Sequence, residues 1–199
     1  LRIPLEESQQ QRLIFNIDPD PPYVDRIRTL GDLEAILKAG LNVLVDAMFG
    51  AGAGYLQWLI SGGSTIIEEM HAQPNPAFPG MEQPEPIARN LVSLIDRIKP
   101  DKASVGLALD GDADRLGVVD ENGRFVSTLE VFSLLAQYLL EIKGLRGPLV
   151  KGVTSSMMLN KLGQQFKVEV HEMPVGFKYI GPQMSDIDAL IAGEESGGL

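Results

Sequence analysis

Apolar and polar positions along the chain fall into short blocks whose period switches repeatedly. Leu41-Asn42-Val43-Leu44-Val45 is a compact apolar run that reads as a buried strand, and Ser64 to Glu69 reads as a second. Between them lie the turn Gly50-Ala51-Gly52-Ala53-Gly54 and a helix from Tyr55 to about Ile60. Upstream, Asp20-Pro21-Pro22 predicts a helix start, with an acidic cap followed by prolines where no amide partner is needed. Helical character then continues in pieces to Lys38, is broken around Gly31 and is stopped by Ala39-Gly40.

The stretch from His71 to Pro86 holds Pro74, Pro76, Pro79, Pro84 and Pro86 and is predicted to be a loop. Beyond it, Ile87, Leu91, Leu94, Ile95 and Ile98 recur at helical intervals. Val105 to Leu109 is apolar on both faces, as in a strand covered by helices on each side. Leu116 to Val119 follows closely, and Asp120-Glu121-Asn122-Gly123 predicts a hairpin turn. Ser127 with Glu130 forms a capping box. The helix it opens carries Val131, Leu135, Tyr138 and Ile142 on one stripe and ends at Gly144. Strands fit Pro148 to Lys151, Lys167 to His171 and Asp188 to Ala192, with helices near Ser156 to Leu162 and Phe177 to Met184. Met157, Met158 and Trp58 are read as packing residues.

Strands alternating with helices predict an α/β protein with right-handed crossovers. We expect two three-layer α/β/α domains with mixed, mostly parallel sheets, residues 1–126 and 127–199. The second is expected to be truncated, because Ala192-Gly193 reaches a strand end with six residues left.

Composition narrows the function classes. Among 199 residues, 17 Lys and Arg face 27 Asp and Glu, a net charge of −10, which argues against nucleic acid as a partner. Cysteine is absent, which excludes disulfides and thiolate metal sites. With His71 and His171 as the only imidazoles, a histidine-built zinc site has too few ligands. No apolar run approaches the ~18 residues of a membrane span. Nothing resembles a signal peptide, and a start at Leu1 suggests an internal piece of a longer chain.

The most informative segment is Asp110-Gly111-Asp112-Ala113-Asp114-Arg115, directly after a predicted buried strand. Ligands of open α/β sheets gather at the carboxyl ends of strands. Carboxylates at alternate positions can converge on one side of a tight loop, and Gly111 is expected to permit the bend. Such a trio repels itself unless a cation holds it ionised. Hard oxygen ligands favour Mg²⁺ or Ca²⁺, and an incompletely filled Mg²⁺ shell invites a phosphate oxygen. Arg115 adds donors suited to that phosphate. The segment therefore reads as a metal-assisted phosphoryl site.

Three other readings compete. An EF-hand loop would use Asp110, Asp112 and Asp114, with Glu121 at its twelfth position, but it needs Gly where Arg115 stands. A haloacid-dehalogenase-type phosphatase would take Asp110 as nucleophile and Asp112 as acid/base, although its motif continues with Thr or Val where Asp114 stands. A solvated acidic turn, or a metal- or nucleotide-binding module without chemistry, is the bland alternative. Elsewhere, Gly50 to Gly54 has the spacing G-x-G-x-G and lacks the third glycine of a dinucleotide fingerprint. Gly193-Glu194-Glu195-Ser196-Gly197-Gly198 follows a predicted strand. An extended backbone there would put Glu194 and Ser196 on one side, suited to sugar hydroxyls. Lys178 lies at a helix start where it could share an anion with backbone amides. Lys151 ends a predicted buried strand, where charged side chains rarely sit without a task.

Together, the acidic loop Asp110 to Arg115, Pro174-Val175-Gly176-Phe177-Lys178, the loop Gly193 to Gly198, Ala47 to Gly54 and Pro74-Asn75-Pro76 resemble the α-D-phosphohexomutase family, in particular its bacterial phosphoglucomutase-like branch. The resemblance covers nearly all of the chain. Members of that family have four domains, and this chain looks like the second plus most of the third. The first domain carries a phosphorylated serine in a Thr-x-Ser-His-Asn-Pro-like loop, and no such string occurs here. The resemblance implies a cytoplasmic isomerase interconverting hexose 1- and 6-phosphates of glucose or mannose through a phosphoserine and a 1,6-bisphosphate, with domains I and IV supplied by the rest of the chain. It further implies Mg²⁺ held by Asp110, Asp112 and Asp114, phosphoryl stabilisation by Arg115, and proton handling or electrostatic help from Lys151. Glu194 and Ser196 would bind sugar hydroxyls, and Lys178 a phosphate or the sugar. By itself the piece is expected to be inactive.

Overall fold

A computed structural model describes residues 2–199. The chain runs α1 (Leu5–Gln10), α2 (Asp20–Arg28), α3 (Leu33–Lys38), β1 (Asn42–Asp46), α4 (Tyr55–Leu59), β2 (Ile66–Met70), α5 (Val92–Ile98), β3 (Val105–Leu109), β4 (Leu116–Asp120) and β5 (Phe125–Val126). It continues with α6 (Thr128–Gln137), β6 (Leu149–Gly152), α7 (Met158–Phe166), β7 (Val170–Met173), α8 (Phe177–Asp186) and β8 (Ile191–Gly193). The first sheet has the order β2-β1-β3-β4-β5 and the second β7-β6-β8. Pairings β2/β1, β1/β3, β7/β6 and β6/β8 are parallel, while β3/β4 and β4/β5 are antiparallel. The mixed, mostly parallel α/β architecture is as expected. The first sheet ends at Val126, and Ser127 caps α6, its side chain and that of Glu130 each binding the other's backbone N–H.

Each sheet is covered on both faces because its strands carry apolar side chains in both directions. In the first, Leu44, Met48 and Ala108 pack with Leu91, Leu94 and Ile98 of the α5 region, while Val43, Val45 and Ile67 pack with Leu56 and Ile60 of the α4 region. In the second, Leu149 packs with Phe132, Ala136, Leu140, Leu159 and Leu162, and Val150 and Ala192 pack with Ile180 on the opposite face.

The parallel crossovers from β1 through α4 to β2 and from β2 through α5 to β3 lie on opposite faces, so β1 and β3 flank a topological switch point. The strand pair β6 and β8 does the same in the second sheet. Crevices open at the carboxyl ends of such pairs. From the first pair emerge the glycine-rich turn and the acidic loop; from the second emerge Lys151-Gly152 and the Gly193–Gly198 loop. The chain's chemistry is concentrated at these two crevices.

Several local expectations need correction. Of the expected stripe Val131 is buried, but Leu135, Tyr138 and Ile142 face outward, Ile142 being 70% exposed, and the buried face runs on through Phe132, Ala136 and Leu140. Both sets have helical spacing, and only the position of the sheet selects between them. The helix also passes into a π turn over Tyr138–Ile142 before Gly144, at φ +65°, ends it. Met157, Met158 and Trp58 are exposed rather than packed. Asp20 is helical instead of capping; its N–H is accepted by Asp18 Oδ1 at 3.2 Å, and its own carboxylate takes the Tyr55 hydroxyl. The Ile87–Ile98 stripe is split into a 3₁₀ turn at Ala88–Asn90 and α5. Helix α1 has no counterpart among the expected elements. Among the described residues, no helix is long and apolar enough to cross a membrane.

Candidate active site

The acidic loop is built around Asp110, which is fully buried at the end of β3. Its Oδ1 accepts the N–H groups of Asp114 at 2.9 Å and Arg115 at 3.0 Å, and Oδ2 accepts Arg115 Nε at 2.6 Å. These bonds fold six residues into one turn, with Ala113 in the left-handed region at φ +62°. Gly111 has no positive φ, so the expected bend does not account for it. A Cβ there would stand 2.9 Å from Pro84 Cγ and 3.2 Å from the Phe78 ring, so the position is closed by close approach.

The glycine-rich turn after β1 serves as the bed of this loop. A Cβ on Gly50 would lie 2.6 Å from the Gly111 carbonyl oxygen, and one on Gly52 would lie 2.6 Å from Leu109 Cδ1 and 3.0 Å from Ala113 Cβ. Ala51 N–H donates to the Gly111 carbonyl at 3.0 Å. The bed is itself pinned by buried Asp46, whose Oδ1 accepts Met48 N–H at 2.8 Å and meets His71 Nδ1 at 2.9 Å. Met48 and Phe49 both adopt positive φ there, 47° and 58°. Gly50 and Gly52 are thus consumed by packing against the acidic loop, which leaves a dinucleotide role without support.

Asp110, Asp112 and Asp114 bring one carboxylate oxygen each within 4.8 Å of one another. Burial works to raise the Asp110 pKa, but the hydrogen bonds and charge of Arg115 carry it below the ordinary value. Asp114 is held above the ordinary value by desolvation, then by the charges of Asp110 and Asp112. This uncompensated crowding suits a cation. With Oδ1 of Asp110 accepting two hydrogen bonds and Oδ2 one, a lone pair remains on Oδ2. Asp112 and Asp114 are exposed. The donor set fits a hard divalent ion. The same burial and engagement of Asp110 disfavours it as a nucleophile of the haloacid-dehalogenase kind. The flanking antiparallel strands β3 and β4 disfavour an EF-hand.

A cleft of about 560 Å³ joins the two crevices, lined by Asp112, Asp114, Arg115, Phe177, Glu194, Ser196, Gly198 and Leu199. Glu194 and Ser196 share its wall, and Ser196 Oγ donates to Glu194 Oε1 at 2.6 Å. They meet in a turn closed by Glu194 N–H to the Gly198 carbonyl at 3.1 Å, not along an extended strand. Gly197, at φ +101°, lets that turn press against Thr128, Leu116 and Arg115, which sets the Gly193–Gly198 loop beside the acidic loop. Two expected residues are not on this wall. Lys151 is 1% exposed, with Nζ 2.8 Å from Glu172 Oε2. Lys178 is exposed, its ammonium 5.0 Å from the Tyr179 ring centroid, and Phe177 lines the cleft in its place.

Sequence reasoning missed Glu85, whose Oε1 is 3.1 Å from Arg115 Nη1. A carboxylate between two prolines, Pro84 and Pro86, was the available signal.

The description "Phosphoglucomutase/phosphomannomutase, alpha/beta/alpha domain II" matches residues 21–123, and that of domain III of the same family matches residues 129–199. The chain belongs to the phosphoglucomutase/phosphomannomutase family and comprises its domains II and III. It is 34% identical over 178 residues to a phosphoglucomutase/phosphomannomutase of Thermococcus kodakarensis, covering 89% of this chain and 39% of that protein. It is 31% identical over 158 residues to a probable phosphoglucosamine mutase of Methanopyrus kandleri, covering 79% and 34%. The crystal structure of a putative phosphomannomutase from Thermus thermophilus superimposes with a TM-score of 0.85 at 35% identity, over 91% of this chain and 42% of that one. An N-acetylphosphoglucosamine mutase of Aspergillus fumigatus, solved with GlcNAc-6P and magnesium, shares the fold at a TM-score of 0.60 and 17% identity, over 83% and 37%. The chain therefore spans only about two fifths of such proteins.

Proposed function

We propose that this chain supplies the metal site and the sugar-recognition loop of a phosphohexomutase that interconverts hexose 1- and 6-phosphates through a phosphoserine and a 1,6-bisphosphate. The observation that carries the reading is the single cleft onto which Asp112, Asp114 and Arg115 of one sheet and Glu194 and Ser196 of the other converge. A bound Mg²⁺, held by Asp110, Asp112 and Asp114, would supply charge neutralisation for the migrating phosphoryl group. Arg115 lines the cleft, and its Nη2, without a side-chain partner among the described residues, is available to a phosphoryl oxygen. Glu194 accepts from, and Ser196 exchanges hydrogen bonds with, sugar hydroxyls that both orientations of the intermediate present. Phe177 offers an apolar wall to the sugar ring.

Lys151 and Lys178 retain weaker places in the proposal. Lys151 would offer a reacting hydroxyl the ammonium protons that Glu172 leaves free, and Lys178 would contribute its ammonium to a phosphate from the start of α8.

The test is to supply the first and fourth domains and to assay conversion of glucose 1-phosphate, mannose 1-phosphate and glucosamine 1-phosphate, with Asp112→Asn as control. Turnover of at least one substrate, and its loss in Asp112→Asn, is expected; full rate in that variant would remove the catalytic assignment. The isolated chain should be inactive and bind Mg²⁺ weakly, because the phosphoserine oxygen is missing from the shell.

A further inference from the structure

The proline-rich loop has no task in the proposed chemistry, yet its end is fixed against the acidic loop, β4 and Asn90. Gly111 N–H donates to the Pro84 carbonyl at 3.2 Å, and a Cβ on Gly117 would lie 2.7 Å from the Pro86 carbonyl oxygen. Asn90 Nδ2 donates to the carbonyls of Gln83 and Glu85, each at 2.8 Å. Proline fixes φ at positions 84 and 86 and restricts residue 85 as well, so the Glu85 carboxylate is presented on a stiff support.

That carboxylate is spent on Arg115. The guanidinium binds Asp110 through Nε at 2.6 Å and Glu85 through Nη1 at 3.1 Å, and Nε stands 3.6 Å from Asp114 Oδ1. Glu85 and Arg115 are each 29% exposed, so the pair is only partly screened by water. With Glu85 neutralised, Arg115 loses the anchor on Nη1, and the carboxylate on which its Nε side can close is Asp114, already 3.6 Å away and crowded by Asp110 and Asp112. A closed Arg115–Asp114 pair would consume one of the three oxygens that converge for a cation.

We propose that Glu85 is a positioning residue that anchors the Nη1 end of Arg115 and so restrains its Nε from closing the 3.6 Å gap to Asp114, keeping Asp114 open to a divalent cation. The cation's identity rests on the proposed function; the competition between two carboxylates for one guanidinium does not.

The test uses this 199-residue chain, with Mn²⁺ as a paramagnetic stand-in for Mg²⁺ and binding followed by electron paramagnetic resonance. Glu85→Gln keeps the side chain's shape and is expected to weaken Mn²⁺ binding about tenfold, the scale of one charge-assisted hydrogen bond. In an Arg115→Gln background the same substitution should change the affinity little, because Glu85 acts through the guanidinium. Equal weakening in both backgrounds would make Glu85 a mere field charge and overturn the proposal, as would unchanged binding in Glu85→Gln. A second readout is the Arg115 Nε–H resonance by ¹⁵N NMR without metal. It should shift in Glu85→Gln and shift back when Asp114→Asn is added, since Asp114 is then no longer a competing anion. If the unsubstituted chain binds no Mn²⁺, the metal site of the proposed function falls. The resonance then decides the positioning role alone: an unmoved signal refutes it and a signal restored by Asp114→Asn sustains it.

Discussion

Gly50→Ala tests whether the glycine-rich turn is the bed on which the acidic loop is shaped. The added Cβ would lie 2.6 Å from the Gly111 carbonyl oxygen and 2.9 Å from both the Asp110 carbonyl oxygen and Gly111 Cα. All three obstacles are backbone, and φ of Gly50 lies outside the left-handed region, so the cost is one of space alone. Overpacking of this kind costs about 1–3 kcal/mol. Since no side chain can rotate away, and the hydrogen bond from Ala51 N–H to Gly111 is displaced as well, the expected loss is about 3 kcal/mol. Gly54→Ala is the contrast: nothing lies within 4 Å of its Cβ, and only the left-handed φ of +85° is penalised, by about 1 kcal/mol. Denaturation followed by fluorescence of Trp58, the single tryptophan and a residue of α4, reports on the first sheet unit. Mn²⁺ affinity should fall in Gly50→Ala and hold in Gly54→Ala. A Gly50→Ala chain no less stable than Gly54→Ala, with metal affinity intact, would refute the account of the loop's support.

Asp114 has a raised carboxyl pKa, so the folded chain binds its proton more readily than the unfolded chain, and stability falls as pH rises through that interval above 3.8. Asp114→Asn should therefore stabilise the metal-free chain at neutral pH by about 0.2–0.5 kcal/mol, a small figure because the side chain is mostly exposed; the difference should vanish in denaturation curves below pH 3.8. Phe132→Ala should cost about 3–5 kcal/mol in urea denaturation followed by circular dichroism, because Phe132 is fully buried. Ile142→Ala should stay within about 0.5 kcal/mol, and the reverse ranking would restore the stripe read from periodicity. Lys151→Met should leave stability unchanged or improved, because an apolar chain replaces a buried ion whose partner Glu172 is 47% exposed and can return to water. Under the proposed function, in the assay with the first and fourth domains supplied, the same change should lower turnover about 100-fold or more; lost stability with retained turnover would make the lysine structural.

Local sequence was informative wherever one short segment carries its own reason to fold. The Ser127/Glu130 capping box, the Asp120–Gly123 hairpin turn and the apolar runs of β1, β3 and β6 act through neighbours in the chain, and they stand where expected. The acidic loop was legible for the same reason, since its three aspartates and Arg115 close upon themselves through Asp110. Glu194 and Ser196 were paired from their spacing, although the turn that joins them differs from the extended backbone first supposed.

What the sequence determined by itself was therefore the α/β alternation, the acidic loop and the family to which these segments belong. It could not choose which of two helical stripes on α6 faces the sheet, because apolar residues occupy both and burial depends on where β6 lies. It did not reveal that Gly50, Gly52 and Gly111 are required by facing atoms rather than by their own dihedrals. Nor did it show that Glu85 reaches Arg115 from 30 residues away, or that Gly197 seats the Gly193–Gly198 loop against the acidic loop. Each of these is a contact between segments distant in the chain. Such contacts leave no period or local motif to read, because their energy depends on shape and charge that exist only once the two sheets have formed.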